Sequence, residues 1–241
     1  MRKGIYLILS AVCIVSCNRF DRGLNMRVTN NELSWTNGSV VFRTDMDSKQ
    51  KNQNSPAFQI SVKSEKGKLI PFPVDTCAIG YGASCPMGTS GFYKPDKGLA
   101  QAEVLIQTDE RMVLHLRYNP WNIFDTPITL DKQVSMFRDS PIISVIDFYD
   151  GSFELLNIAA GMTTAFEGKV KEITDGYSIQ YLNHGITGII VMPHAEQKTI
   201  NETLGTVLLK KGVSGKEPLR YYIGISDKGE DYLLEELAKI L

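Results

Sequence analysis

The sequence lacks the features of a nucleic-acid-binding protein or a metalloenzyme. Lys and Arg number 26 against 27 Asp and Glu, so no basic excess exists to hold a phosphate backbone. The three histidines and four cysteines fall outside the HExxH and paired-cysteine spacings of metal sites. No GxSxG elbow and no complete GxGxxG loop occurs. We therefore expect no nucleic-acid partner, no resident metal and no cofactor.

What remains is an ordinary globular composition. The chain has 241 residues, of which 43% are hydrophobic and 22% are charged. These values exclude a disordered protein and fit one domain of the size that all-β folds often reach.

The N-terminus resembles a bacterial lipoprotein signal. A positive start and a short apolar stretch end in Ile14-Val15-Ser16-Cys17, which looks like a lipobox with Cys17 as the acylated residue. We predict a signal peptide at 1–17, a polar tether at 18–31 and one domain at 32–241, lipid-anchored in the periplasm or outer membrane of the cell envelope. A short uncleaved anchor and a plain signal with an incidental cysteine stay open as alternatives.

Two cysteines remain in the predicted mature chain. Cys77 and Cys85 flank a Gly-rich stretch, and an even pair in an oxidising compartment predicts one disulfide that closes a small loop. Two reduced thiols are the alternative.

Short runs of β-branched and aromatic residues recur through the body of the chain. They are separated by Gly, Asp and Asn at short intervals, which predicts an all-β antiparallel β-sandwich or barrel. A helical stripe appears only at 230–241, where Leu233 and Leu237 share one face. We expect this short C-terminal helix to dock on the edge of the sandwich; a helix that binds a partner is the alternative.

One predicted strand carries the best candidates for chemistry. At 112–118, His115 and Arg117 alternate on one face while Tyr118 belongs to the other, apolar face. Imidazole can transfer a proton, and guanidinium can bind a uronate carboxylate with two hydrogen bonds. The alternative is that His115 and Arg117 simply face solvent on an exposed sheet.

Aromatic residues in turn-like segments are candidate sugar-stacking platforms. These residues are Trp35, Trp121 and, in the Gly-rich loop, Tyr81. For the two tryptophans, packing over the end of the sandwich is an equally good interpretation.

Four segments carry a resemblance to a known group: 32–43, 113–121, 131–135 and 221–224. The chain resembles a Bacteroidetes-type lipoprotein family of polysaccharide-utilisation loci, catalogued as a domain of unknown function. The resemblance implies a supersandwich like those of sugar mutarotases and polysaccharide lyases, and a role in degrading acidic plant or algal polysaccharide. Some relatives are similar to dehydratases that act on oligosaccharides with an unsaturated uronic acid end.

The resemblance also implies roles for the candidate residues. Such chemistry needs a proton acceptor, an acid and a cation for the carboxylate, which His115, Tyr118 and Arg117 supply in this sequence. This chain is shorter than members of that family and, around 44–57, lacks their His-containing acidic segment. The functional prediction is an envelope lipoprotein of acidic polysaccharide utilisation, acting as a lyase or dehydratase on uronate-containing oligosaccharides. The alternatives are a shortened, non-catalytic glycan-binding member and a structural protein of the envelope.

Overall fold

The computed structural model describes most of the chain beyond the predicted signal. The described residues are 23–29, 32–45, 58–64, 67–71, 79, 82–89, 91–95, 98–160, 169–173, 177–183, 186–201 and 205–241. The predicted signal peptide with Cys17 lies outside these residues, as do Tyr81 and Cys77.

The described elements are strands followed by one helix. The strands are β1 (Leu24–Val28), β2 (Glu32–Asn37), β3 (Val40–Asp45), β4 (Gln59–Lys63), β5 (Leu69–Pro71), β6 (Ser84–Gly88), β7 (Gly91–Phe92), β8 (Leu99–Gln107), β9 (Arg111–Tyr118), β10 (Trp121–Ile123), β11 (Thr126–Phe137), β12 (Ile142–Gly151), β13 (Leu156–Ala160), β14 (Lys169–Ile173), β15 (Tyr177–Asn183), β16 (Thr187–Pro193), β17 (Glu196–Asn201), β18 (Gly205–Val213) and β19 (Pro218–Ser226). The helix is α1 (Glu230–Ala238).

The strands form three sheets in which every recorded pairing is antiparallel. β1 to β5 follow one another in a meander. The large sheet has the order β14-β15-β16-β19-β12-β11-β9-β8, and β10 pairs with β11. The third sheet has the order β17-β18-β13-β6-β7. This arrangement confirms the predicted all-β antiparallel sandwich with a short C-terminal helix.

The first strand begins earlier than the sequence indicates. Leu24–Val28 lies inside the segment predicted to be a polar tether, yet it pairs along its whole length with β2. The predicted tether of 18–31 therefore overlaps the folded domain at these five residues.

Local sequence explains the tight turn between β2 and β3. Gly38 has φ +100, a conformation that favours glycine. The side-chain oxygen of Asn37 accepts hydrogen bonds from the backbone N–H groups of Ser39 and Val40, at 3.2 and 3.0 Å. The turn thus sets the pairing of two core strands.

The largest of three hydrophobic clusters joins residues of all three sheets. On β9 the alternation holds as predicted, because Met112, Leu114, Leu116 and Tyr118 are buried on the inner face of the large sheet. Residues of β2, β3, β13 and β18 complete the same core. We call the opposite side of the large sheet its outer face.

The C-terminal helix covers only one part of that outer face. Leu233 and Leu237 are buried against Ile189, Val191 and Tyr222, which belong to β16 and β19. The predicted helix is therefore present, but it packs on the face of interior strands and not on the sandwich edge where it was predicted. Among the described elements, it leaves the outer face of β8, β9 and β11 uncovered. Among the described residues, no helix is both long and apolar enough to cross a bilayer.

Candidate functional site

A row of charged side chains lies on the open part of the outer face. The strand register places Glu103 of β8 opposite His115 of β9, and Arg117 of β9 opposite Asp131 of β11. Directly opposed residues on one face of an antiparallel sheet are close enough for their side chains to interact. We call Glu103, His115, Arg117 and Asp131 the charged row.

Hydrogen bonds connect the four members. His115 Nδ1 lies 2.9 Å from Glu103 Oε1, and His115 Nε2 lies 2.9 Å from Asp131 Oδ1. Arg117 donates from Nε to Asp131 Oδ1 at 2.7 Å and from Nη2 to Asp131 Oδ2 at 3.1 Å. Both imidazole nitrogens are thus engaged, and the guanidinium and carboxylate form a two-pronged pair of fixed geometry.

The same contacts determine the electrostatics of the row. Partial burial raises the pKa of the Asp131 carboxyl, but hydrogen bonds from Arg117 and His115 outweigh it, so the pKa lies below its ordinary value. The hydrogen bond to Asp131 raises the pKa of Arg117. The Arg117 side chain is 50% exposed, against 23% for Asp131, so solvent reaches the pair from the guanidinium side.

Two apolar side chains lie beside the charged row on the same face. The register places Phe148 opposite Asp131 and Ile146 opposite Gln133, and both are partly exposed. The sequence did not single out this pair as part of a site. The sequence of β12 is apolar on both faces, so it gave no sign that Ile146 and Phe148 are the partly exposed members.

Tyr118 does not belong to this site. It is buried on the inner face, because successive residues of a strand point to opposite sides, and burial raises the pKa of its hydroxyl. The prediction that Tyr118 supplies an acid beside His115 is therefore wrong.

Neither tryptophan is a stacking platform. Trp35 is buried in the core, where its ring is stacked on Phe42 and meets Phe58 edge-on. Trp121 is also buried, and its Nε1 donates to the backbone oxygen of Tyr93 at 3.2 Å. The structure thus corrects the prediction of sugar stacking in favour of packing, and Tyr81 lies outside the described residues.

A second polar group, which sequence analysis missed, is enclosed on the inner face of the same sheet. Its members, which we call the buried cluster, are Ser84, Lys132, Asp147, Tyr149 and Tyr221. The ammonium nitrogen of Lys132 lies 2.8 Å from both Asp147 oxygens and donates to the Tyr221 hydroxyl at 2.7 Å. The Lys132 and Asp147 side chains are both 0% exposed.

The buried cluster binds the backbone that leads into β6. The Gly82 carbonyl accepts hydrogen bonds from Lys132 Nζ at 3.2 Å and from the Tyr221 hydroxyl at 3.0 Å. The Ser84 hydroxyl donates to Asp147 and lies 2.7 Å from the Tyr149 hydroxyl. Gly82 has φ +79, and a Cβ there would collide with the Phe58 ring, so this approach requires glycine.

Burial dominates the titration of the cluster. It lowers the pKa of Lys132, against the opposing effect of the Asp147 carboxylate, and it raises the pKa of Tyr149 and Tyr221. A sequence signal existed here too. Lys132 falls on the apolar face of β11, between Leu130 and Val134, where a lysine needs a buried partner.

Cys85 is a free, buried thiol among the described residues, which does not support the predicted Cys77–Cys85 disulfide. Its side chain packs with Ile79, Ala83 and Ala159 in a small apolar cluster, and burial raises the pKa of the thiol to about 12. Cys77 lies outside the described residues. In the described part of the chain, no group of three or more His, Cys, Asp and Glu side chains is arranged to hold a metal ion.

Comparison with known proteins finds no similarity of sequence, and its similarities are to solved structures. No protein-family model matches the sequence, and no curated protein matches it either. The chain is similar to a solved structure described as a protein in the glycosyl hydrolase family 38 from Enterococcus faecalis, with 8% sequence identity and a TM-score of 0.46. The match covers 80% of this chain and 30% of the other, so this chain spans less than a third of the length of that protein.

Proposed function

We propose that this protein is an envelope lipoprotein that binds uronate-containing polysaccharide or oligosaccharide without cleaving it. The observation that carries the proposal is the charged row, held in fixed geometry on an open sheet face. Its guanidinium donates to a carboxylate, and its two carboxylates offer further acceptor sites to sugar hydroxyls. The partly exposed ring of Phe148 beside Asp131 supplies an apolar surface for the face of a pyranose.

Arg117 is the residue best suited to recognise an acidic sugar. Half of its side chain is exposed, and its remaining N–H groups point away from the two bonds it makes to Asp131. A uronate carboxylate can accept from these donors. The engagement of both His115 nitrogens argues for binding over proton transfer, because no free ring nitrogen faces outward to act as a base.

Binding to a panel of acidic plant and algal oligosaccharides, followed by calorimetry on each hit, tests the proposal. Arg117→Ala removes at least one charge-assisted hydrogen bond and should weaken binding by about 10-fold or more. Arg138→Ala is the matched control, because Arg138 is similarly exposed (40%) and also lies near an aspartate, Asp109. Absence of binding to every oligosaccharide, or equal affinities of the two variants, overturns the proposal.

The envelope location rests on the N-terminal signal and on the resemblance to lipoproteins of polysaccharide-utilisation loci. Acylation at Cys17 would anchor the domain without a spanning helix. Replacement of Cys17 by alanine should move the protein from the membrane fraction to the soluble fraction. If the wild-type protein is itself recovered in the soluble fraction, the lipid anchor is excluded.

A lyase or dehydratase acting on uronate-containing oligosaccharides is the second candidate. The observation in its favour is the His115–Asp131 hydrogen bond, since a carboxylate that orients an imidazole is common in acid–base catalysis. Displacement of Glu103, whose side chain is 45% exposed, would free Nδ1 for proton transfer. Product formation from the same oligosaccharides, abolished in His115→Asn, would establish this candidate over pure binding.

A further inference from the structure

One edge of the large sheet differs from the other sheet edges in the described part of the chain. The outermost strand of a sheet leaves backbone groups open for pairing with another chain, and proteins usually protect it with charged residues, proline, β-bulges or a short length. Most of the other edges carry such residues, namely Arg27 in β1, Pro71 in β5, Lys169 and Lys171 in β14, and Lys198 in β17. The remaining edge, β7, has only two residues.

β8 lacks the basic residues, proline and short length of the other edges, and its protection is limited to two breaks of register and the acidic Glu103. It is nine residues long and contains no Lys, Arg or Pro, and among the described strands it pairs on one side only, with β9. Six of its residues are exposed, including Leu105 at 47% and Ile106 at 43%. Shifts of register near Leu99 and at Val104/Ile106 leave a regular stretch between them, from Gln101 to Val104.

We propose that two copies of this chain pair through β8, antiparallel, about a two-fold axis that passes at Ala102. In this register Glu103 of each copy lies opposite Gln101 of the other, whose amide can donate to the carboxylate. Arg117 is the cross-strand neighbour of Gln101 in the same copy. Its positive charge favours the approach of Glu103 from the other copy. The leucine at 105 comes near Leu99 of the second copy.

Other registers are less favourable on the same grounds. An axis at Glu103 places two carboxylates opposite each other, and an axis at Gln101 leaves Glu103 opposite an apolar leucine. An axis between two residues would oppose an outer-face residue to an inner-face residue, which an antiparallel pair does not allow. The strand is therefore complementary to itself, which favours a second copy over an unrelated extended peptide.

The pairing joins the outer faces of the two copies into one surface. Across the junction the order of side chains becomes Asp131, Arg117 and Gln101 of one copy, then Glu103 and His115 of the second copy. The two charged rows thus lie side by side on a continuous sheet. A single strand pair is a small interface, so we expect a reversible dimer with micromolar affinity.

Sedimentation over a range of protein concentrations measures the association. The wild-type protein should dimerise, and Leu105→Lys should weaken the dimer by about 10-fold or more because it adds the edge lysine that β8 lacks. Leu155→Lys is the control, since Leu155 is 61% exposed and lies outside β8. A wild-type protein that is monomeric at all concentrations, or equal effects of the two lysines, overturns the proposal.

Crosslinking tests the register itself. In a Cys77→Ser background, Ala102→Cys should form a disulfide-linked dimer on mild oxidation, because directly opposed residues have the spacing a disulfide needs. Ala100→Cys should crosslink much more slowly, since its counterpart lies several residues away. Faster crosslinking at position 100, or recovery of an unrelated chain on β8, rejects this pairing. The monomeric Leu105→Lys variant should still bind glycan. A failure of dimerisation can therefore be distinguished from a failure of the proposed function.

Discussion

Asp131 and Lys132 are neighbours in β11, yet they belong to two charged groups with opposite surroundings. Asp131 points to the open outer face and pairs with Arg117, which is 50% exposed. Lys132 points to the inner face and pairs with Asp147, with both side chains 0% exposed. Two carboxylate–cation pairs that involve neighbouring residues of β11 therefore differ in their surroundings. One is open to water on the outer face, and the other is enclosed in the protein interior.

The two environments give the two groups different roles. In the buried cluster, hydrogen bonds from Lys132 and Tyr221 hold the Gly82 carbonyl, and Ser84 of β6 joins the same network. The cluster thus connects the large sheet to the third sheet. The charged row connects only neighbouring strands of one sheet and keeps donors and acceptors exposed. We expect its contribution to stability to be small, because solvent-exposed ion pairs stabilise little, and its accessibility is the basis of the proposed glycan binding.

The largest expected effect is the loss of the buried lysine. Lys132→Met leaves the Asp147 carboxylate enclosed without its cation, which should lower the free energy of unfolding by about 3–5 kcal/mol. Urea denaturation followed by circular dichroism measures this change.

The double variant Lys132→Met/Asp147→Leu is the control for this prediction. It removes both charges, so it should be destabilised by less than the sum of the two single variants. A single-variant effect below about 1 kcal/mol would mean that the interior tolerates an unpaired carboxylate and would remove the contrast between the two faces.

The next largest expected effect is a loss of stability on the inner side of β19 that does not occur on its outer side. Tyr221→Phe removes a hydroxyl that accepts from Lys132 and donates within the cluster, which should cost about 1–3 kcal/mol. Tyr222→Phe is the matched control, because Tyr222 is the next residue along the strand and faces the helix. The control should change stability by less than about 0.5 kcal/mol. Equal losses in the same urea titration would contradict the assignment of the hydroxyl to the network.

A smaller effect is expected on the outer face. Arg117→Ala breaks an ion pair that solvent reaches, so the free energy of unfolding should fall by about 1 kcal/mol or less. The same variant should lose glycan affinity, which makes stability and binding separable at this residue. A loss as large as that of Lys132→Met would show that the charged row is structural.

The smallest expected effect is a dependence of the free energy of unfolding on acidic pH. The pKa of Asp131 is lower in the folded protein than in the unfolded chain, so its stabilising contribution is complete above the unfolded value, about 4. The contribution disappears as the pH falls through the folded value. Denaturation midpoints measured at a series of acidic pH values should therefore drop more steeply for the wild type than for Asp131→Asn. Parallel curves for the two proteins would contradict the assigned direction.

Much of the fold could be predicted from the spacing of apolar and polar residues along the chain. The inner and outer faces of β9 follow directly from the period of two along the strand, and the apolar stripe of 230–241 predicted the docked helix. His115 and Arg117 were predicted to share a face, and they do. These features depend on neighbours along the chain, which a single sequence displays.

The partners of these residues could not be predicted in the same way. Glu103 and Asp131 reach His115 from strands on either side of it, and the register that aligns them is set by the whole sheet. The burial of Trp35 likewise results from packing against Phe42 and Phe58 between sheets. The turn-like neighbours of Trp35 in the sequence fitted packing and sugar stacking equally well and did not decide between them.

By itself the sequence determined the class of fold, the alternating faces of its strands and the position of its one described helix, because each depends on the local order of apolar and polar residues. Only the tertiary structure decided which charges meet, which of them are enclosed and which stay open to solvent. Those contacts join residues far apart in the chain, such as Gly82 with Tyr221, and their energies depend on how much water the assembled sheets exclude.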